Sequence, residues 1–166
     1  MSRTTALGLA LVLVAACARE EPARSSTAPA ADSMASPMET VGGLQARRTD
    51  VGLVADLLSA TRQRDSLTVT IRFRNAGSDS IAYTMADGGG GYPAVRLTAG
   101  GRDWPLAREP DGDPAAPRQF EASLGPSDSQ LWRATFEAPP RSVGTFDLEV
   151  PGVEPFSDVP IQDEER

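Results

Sequence analysis

The sequence predicts an all-β domain, an antiparallel β-sandwich of about seven or eight short strands within residues 44–166. Three observations predict it. Apolar and polar residues alternate strictly in 67–74 and again in 145–150. Turn residues such as Asn, Gly, Pro, Asp and Ser recur roughly every ten positions. The span is long enough, at roughly 120 residues, to bury one adequate core.

The elements follow in order. VGLVADLLSA, 51–60, carries Val51, Val54, Leu57 and Leu58 at spacings that also fit a helical face, with Asp50 as a cap. The strand reading is preferred. The segment is short, and its exit, TRQRDS, leads straight into the next strand, so a hairpin is the economical solution. In LTVTIRFRN, Leu67, Val69, Ile71 and Phe73 alternate with Thr68, Thr70, Arg72 and Arg74. That period of two predicts one buried and one wet face. Asn75-Ala76-Gly77-Ser78 is turn chemistry, and SIAYTM is a second short strand.

AVRLTAGGRDWPL reads as a hairpin turning at Gly100-Gly101. With that turn, Leu97 lies opposite Trp104 and Val95 opposite Leu106, and Pro105 marks a strand end or an edge. LGPSDSQLWRATFEAPP gives a turn and then a strand whose Trp132, Ala134 and Phe136 share a face. TFDLEVPG places Phe146, Leu148 and Val150 inward, with Asp147 and Glu149 outward. A last short strand includes Val159 and Ile161. The expected core is Leu67, Val69, Ile71, Phe73, Trp132, Phe136, Phe146 and Leu148.

Ahead of this domain the composition changes twice. Residues 1–16, MSRTTALGLALVLVAA, have one positive charge, Arg3, then an apolar run with small residues at its exit. That run suits a signal-peptide core and falls short of the roughly 20 residues a bilayer span needs. Val14-Ala15-Ala16-Cys17 resembles the lipobox of bacterial lipoproteins. The resemblance implies a diacylglycerol on the Cys17 thiol and cleavage before it. Ala16-Cys17-Ala18 also matches a small-x-small site, and cleavage there would discard the cysteine and release the chain. A structural role for Cys17 has no second cysteine to pair with. Residues 17–43 are rich in Ala, Ser, Pro, Thr and Glu and poor in large apolar residues. They read as a flexible tether.

The chain is acidic, with a formal net charge of −7, and all its basic residues are arginine. Phosphate backbones select basic faces, so no nucleic-acid partner is expected. There is no histidine and one cysteine. Ser–His–Asp and Cys–His catalysis and His- or Cys-built zinc sites are thereby excluded in their usual forms. No cofactor is expected.

The run LTVTIRFRNAGSDSI, the hairpin RLTAGGRDWPL, LGPSDSQLWRATFEAPP and TFDLEV are together similar to the small immunoglobulin-like domains of unknown function carried by bacterial envelope lipoproteins. The similarity spans roughly residues 44–161. Its marks are the turn Asn75 to Ser78, the tip Gly100-Gly101, Leu124 to Ser127, and the bend Pro139-Pro140. It implies the fold and an envelope location, and no established activity. The chain lacks the paired cysteines of antibody-type domains, and Tyr83 stands where they carry a strand-C tryptophan. A weaker similarity exists to bacterial proteinase-inhibitor β-domains.

Several candidate sites stand beside a plain structural reading. Asp111 and Asp113, flanking Gly112, are calcium-type donors, but the late glutamate of a calcium loop is missing, so a solvated turn competes. Gly88 to Gly91 would let a backbone approach a ligand; without a following Gly-Lys-Ser/Thr they read as a loop. Arg72, Arg74 and Arg133 are compatible with a basic patch for an acidic partner, or with arginines paired to nearby acids. Carboxylates are plentiful, but no pair is singled out by spacing. The expected function is a non-enzymatic, lipid-anchored binding or accessory domain of the cell envelope. It would hold the membrane through Cys17 and engage an envelope protein. Ala18 after the cysteine resembles the sorting pattern for the outer membrane, with the domain facing the periplasm. The alternatives are a hydrolase inhibitor presenting residues 87–93 or 108–118, and a calcium-dependent binder or adhesin.

Overall fold

The computed structural model describes residues 43–85, 87–89 and 92–164. The leader, Cys17 and all of the tether except Gly43 lie outside them, as do Gly90 and Gly91. The described residues are all-β, with no helix among them, and so none that could cross a membrane. Their strands are β1 (Gln45–Arg48), β2 (Val54–Gln63), β3 (Ser66–Arg74), β4 (Ile81–Thr84), β5 (Asp87–Gly89), β6 (Tyr92–Pro93) and β7 (Arg96–Ala99). They continue as β8 (Arg102–Trp104), β9 (Glu121–Leu124), β10 (Ser129–Glu137), β11 (Thr145–Glu149), β12 (Phe156–Pro160) and β13 (Gln162–Asp163). The strands beyond the expected seven or eight are mostly two to four residues long. Elements that short carry too few alternations to register as a period.

The largest sheet has the order β1-β2-β3-β10, with β13 added in parallel to the far end of β2. A second sheet runs β12-β11-β7-β8, and two antiparallel pairs, β4-β9 and β5-β6, complete the described strands. Neither large sheet closes into a barrel.

The segment 51–60 is a strand, but it starts later than its apolar run. Gly52 sits at φ 96°, and the backbone turns there, with Gly52 N–H donating to Thr49 O at 3.1 Å. Val51 is left exposed in the turn. β2 then pairs with β3 through a tight hairpin at Arg64 and Asp65, as the economy argument expected. Between Leu57 and Ser59 the register shifts by a β-bulge. The bulge inverts the inward set. Ala55 and Leu57 face the core before it, opposite Phe73 and Ile71, and Ala60 faces it after, opposite Val69. An unbroken period of two would have turned one of these groups outward.

β3 behaves as its alternation predicts on one side: Leu67, Val69, Ile71 and Phe73 are fully buried. Its other side is not wet. Thr70 is buried and Thr68, Arg72 and Arg74 are half-buried, because β3 is an interior strand flanked by β2 and β10. The core-facing residues of the sheets belong to one hydrophobic cluster that contains all eight expected core residues. Phe73 packs on Tyr83 and Phe120 with ring centroids 5.1 and 4.9 Å apart. These contacts join the largest sheet to the β4-β9 pair.

The β7-β8 hairpin turns at Gly100 and Gly101, at φ 59° and 77°. Two successive left-handed residues suit a type I′ turn, which glycine adopts without strain. Leu97 lies opposite Trp104 as expected. Val95 and Leu106 do not pair. Pro105 ends the ladder, and Leu106 bridges to Phe136 on β10 instead. Ile161 also falls outside the strand that holds Val159.

Candidate functional site

Arg72, Arg74 and Arg133 lie on the side of the largest sheet turned away from the core, and Arg72 and Arg74 are paired to a nearby acid. Register places Asp56 opposite Arg72 and Val54 opposite Arg74 on β2-β3. It places Leu131 opposite Arg72 and Arg133 opposite Thr70 on β3-β10. One outward row therefore runs Ala46, Asp56, Arg72, Leu131.

Asp56 is the anchor of this face. It is only 1% exposed. Its Oδ2 accepts from Arg72 Nη2 at 2.9 Å and from Arg74 Nε at 2.8 Å. Its Oδ1 is buried without a hydrogen-bond partner. Two guanidinium groups thus share one carboxylate oxygen, and the cluster keeps a net positive charge. Burying a carboxylate is costly unless it is paired, so this arrangement orients both arginines rigidly. Arg133 stands further along the same face, exposed. It has no ion pair or side-chain hydrogen bond among the described residues.

A groove of about 260 Å³ opens beside the pair, lined by Arg72, Arg74, Ser127 and Ser129. Ser127 sits at φ 67°, in the left-handed region that costs a non-glycine residue about 1 kcal/mol. The turn that holds it there is well braced. Ser127 N–H donates to Asn75 O at 3.1 Å, and the Asp128 carboxylate accepts from Gly125 N–H at 3.0 Å. Asn75, 1% exposed, is the hub. Its amide donates to Asp79 O at 2.6 Å and Leu124 O at 3.0 Å, and its Oδ1 accepts from Gly77 N–H at 2.9 Å. The sequence marked Asn75 as turn chemistry; its role in fixing the neighbouring turn at 125–128 was not visible there.

The other candidates have local explanations. The Asp113 carboxylate accepts from Arg118 at 2.6 Å, Asp111 Oδ1 accepts from Asp113 N–H at 3.1 Å, and Gly112 O accepts from Arg108 at 2.8 Å. One carboxylate oxygen each of Asp111 and Asp113, and the Gly112 carbonyl, are thus engaged by the loop's own donors. No group of three or more metal-binding side chains occurs among the described residues. Asp87–Gly89 forms the small antiparallel pair with Tyr92–Pro93.

Sequence reasoning missed Arg62. It is 4% exposed, with Nε and Nη2 donating to the two Asp163 oxygens at 2.6 and 2.9 Å. Its Nη1 donates to Pro139 O, Pro140 O and Val143 O at 3.1, 2.9 and 3.1 Å. The side chain ties the proline bend to β13 and is a structural clamp. Tyr83 is likewise structural. Its hydroxyl donates to Pro151 O, and its pKa is raised, first by burial and then by the Asp50 charge. It closes one side of a depression lined also by Asp50, Val51, Ala82, Thr84, Pro151 and Gly152.

No protein-family model, curated protein or solved structure matches this chain.

Proposed function

We propose that this chain is a lipid-anchored, non-enzymatic binding or accessory domain of the cell envelope, with an immunoglobulin-like sandwich as its fold. The lipid sits on Cys17, and residues 17–43 hold the domain off the membrane, an outer membrane with the domain facing the periplasm. The observation that carries the binding reading is the outward face of β2-β3-β10. In a chain of net charge −7, that face carries Arg72 and Arg74 on the single Asp56 carboxylate, with Arg133 exposed further along it. A positive patch on an acidic protein steers and orients an acidic partner. The sandwich reading is supported by the single core that both large sheets and the β4-β9 pair contribute to.

Membrane fractionation of the wild type and of Cys17→Ala tests the anchor. The wild type pellets with membranes and begins at an acylated Cys17. The variant is left unprocessed or is released. Normal processing and retention of the variant would remove the lipoprotein reading.

One observation favours the inhibitor as a second reading. The exposed loop after β8 is pre-organised, with Glu109 N–H donating to Asp113 O and Gly112 N–H to Glu109 O, both at 2.8 Å. A rigid exposed loop suits a protease cleft because little ordering remains to be done on binding. Unchanged hydrolysis rates across a panel of bacterial and secreted proteases would count against it.

A further inference from the structure

We propose that the open edge of β10, residues 129–133, takes an extended acidic segment of a partner protein as an added strand. This rests on the binding reading above and names how the partner is held.

The backbone hydrogen bonds of β10 leave part of its outer edge open. Along an antiparallel strand, successive residues turn their N–H and C=O groups alternately to one neighbour and the other. In β10 the outward direction is set by Thr135, whose N–H donates to Ala115 O and whose carbonyl accepts from Ala107 N–H, both at 2.9 Å. Glu137 N–H likewise donates to Pro105 O at 3.0 Å. Residues of the opposite parity, Trp132 and Ala134 among them, therefore turn to β3, opposite Ile71 and Val69. By the same alternation Leu131 and Arg133 point their backbone groups away from β3. No described residue bonds them there. The segment 105–115 covers one half of the edge and stops short of the other.

An uncovered edge is a template for a further strand unless it is blocked. The side chains here select rather than block. Leu131 is 60% exposed, and Arg133 is exposed and unpaired among the described residues. The acid in the row of Leu131, Asp56, already serves Arg72 and Arg74. Strand addition of an acidic segment would satisfy the backbone and Arg133 together. A second copy of this chain is disfavoured, since edge-to-edge pairing would bring two arginine-bearing rows side by side.

Residue-resolved amide hydrogen exchange on the full chain tests this. The probe is a synthetic peptide alternating valine and glutamate, with the valine–lysine peptide as control. In the free chain the Leu131 and Arg133 amides exchange fast, while Trp132 and Ala134 are protected. The glutamate peptide slows Leu131 and Arg133 by about tenfold or more, as new ladder hydrogen bonds require. The lysine peptide leaves them unchanged. Arg133→Pro removes only an outward N–H and abolishes the effect. Should that variant not fold, Arg133→Glu keeps the backbone and moves the preference to the lysine peptide. Exchange unchanged by the glutamate peptide at millimolar concentration overturns the proposal. So does protection of Leu131 and Arg133 in the dilute free chain, or protection that rises with protein concentration alone. None of these results bears on the Cys17 anchor or on binding through the arginine face alone.

Discussion

Replacing Arg62 by leucine removes the clamp between β2, the proline bend and the C-terminal strand. The guanidinium is almost fully buried and donates to three backbone carbonyls and to both oxygens of Asp163. Leucine fills part of the volume and supplies no donor. The Pro139 carbonyl bond is the buried one; the Pro140 and Val143 carbonyls and Asp163 lie nearer solvent and recover part of their hydration. Breaking one partner of a buried ionic network costs about 3–5 kcal/mol, and the partial exposure of the acceptors puts this case at the low end, about 3 kcal/mol. For a domain of this size that lowers Tm by about 10 °C. Urea unfolding followed by tryptophan fluorescence measures it, since Trp132 reports the core. Arg62→Lys retains the charge but not the planar fork, and its loss falls between wild type and leucine. An Arg62→Leu variant within about 1 kcal/mol of wild type would refute the reasoning, because it would mean the three carbonyls need no donor from the side chain.

Asn75→Ala removes three hydrogen bonds from a buried amide and costs about 2–3 kcal/mol, measured by the same unfolding curves. Ser127→Gly relieves a left-handed non-glycine residue and leaves stability unchanged or raised by up to about 1 kcal/mol in a thermal melt; a clear loss would mean the φ of 67° carries no strain. Two titrations set opposite limbs of the stability curve. Asp163 has its pKa lowered from 3.8, chiefly by the Arg62 hydrogen bond, so its contribution is present above the unfolded value and is lost as pH falls below it; Asp163→Asn flattens that acid limb. Tyr83 has its pKa raised from 10.0 by burial, so stability is full below pH 10.0 and falls as pH rises beyond it; Tyr83→Phe removes that alkaline loss.

The parts of the fold that were legible are those where one physical signal dominates. Leu67 to Phe73 repeat often enough for the period to stand out, and Gly100-Gly101 can close only a few kinds of turn. β9 was missed because four residues, with Ala122 and Leu124 inward, are too few. The bulge near Leu58 was missed for a different reason. It breaks the period, and its only trace in the sequence is the adjacent pair Leu57-Leu58. The arginine face was half legible. Alternation placed Arg72, Arg74 and Arg133 on polar faces, but Asp56 joins Arg72 and Arg74 only through the register that the bulge sets. The open edge depends on where residues 105–115 stop, a tertiary fact with no local signature.

The proposed function is that of a tethered domain binding an envelope protein through the outward face of β3-β10. A photo-crosslinking amino acid at position 133, compared in intact cells with one at position 147 on the other large sheet, tests it most directly. A discrete adduct with one envelope protein is expected at position 133 and none at 147. Equal labelling at both positions, or no protein adduct at 133, would contradict it.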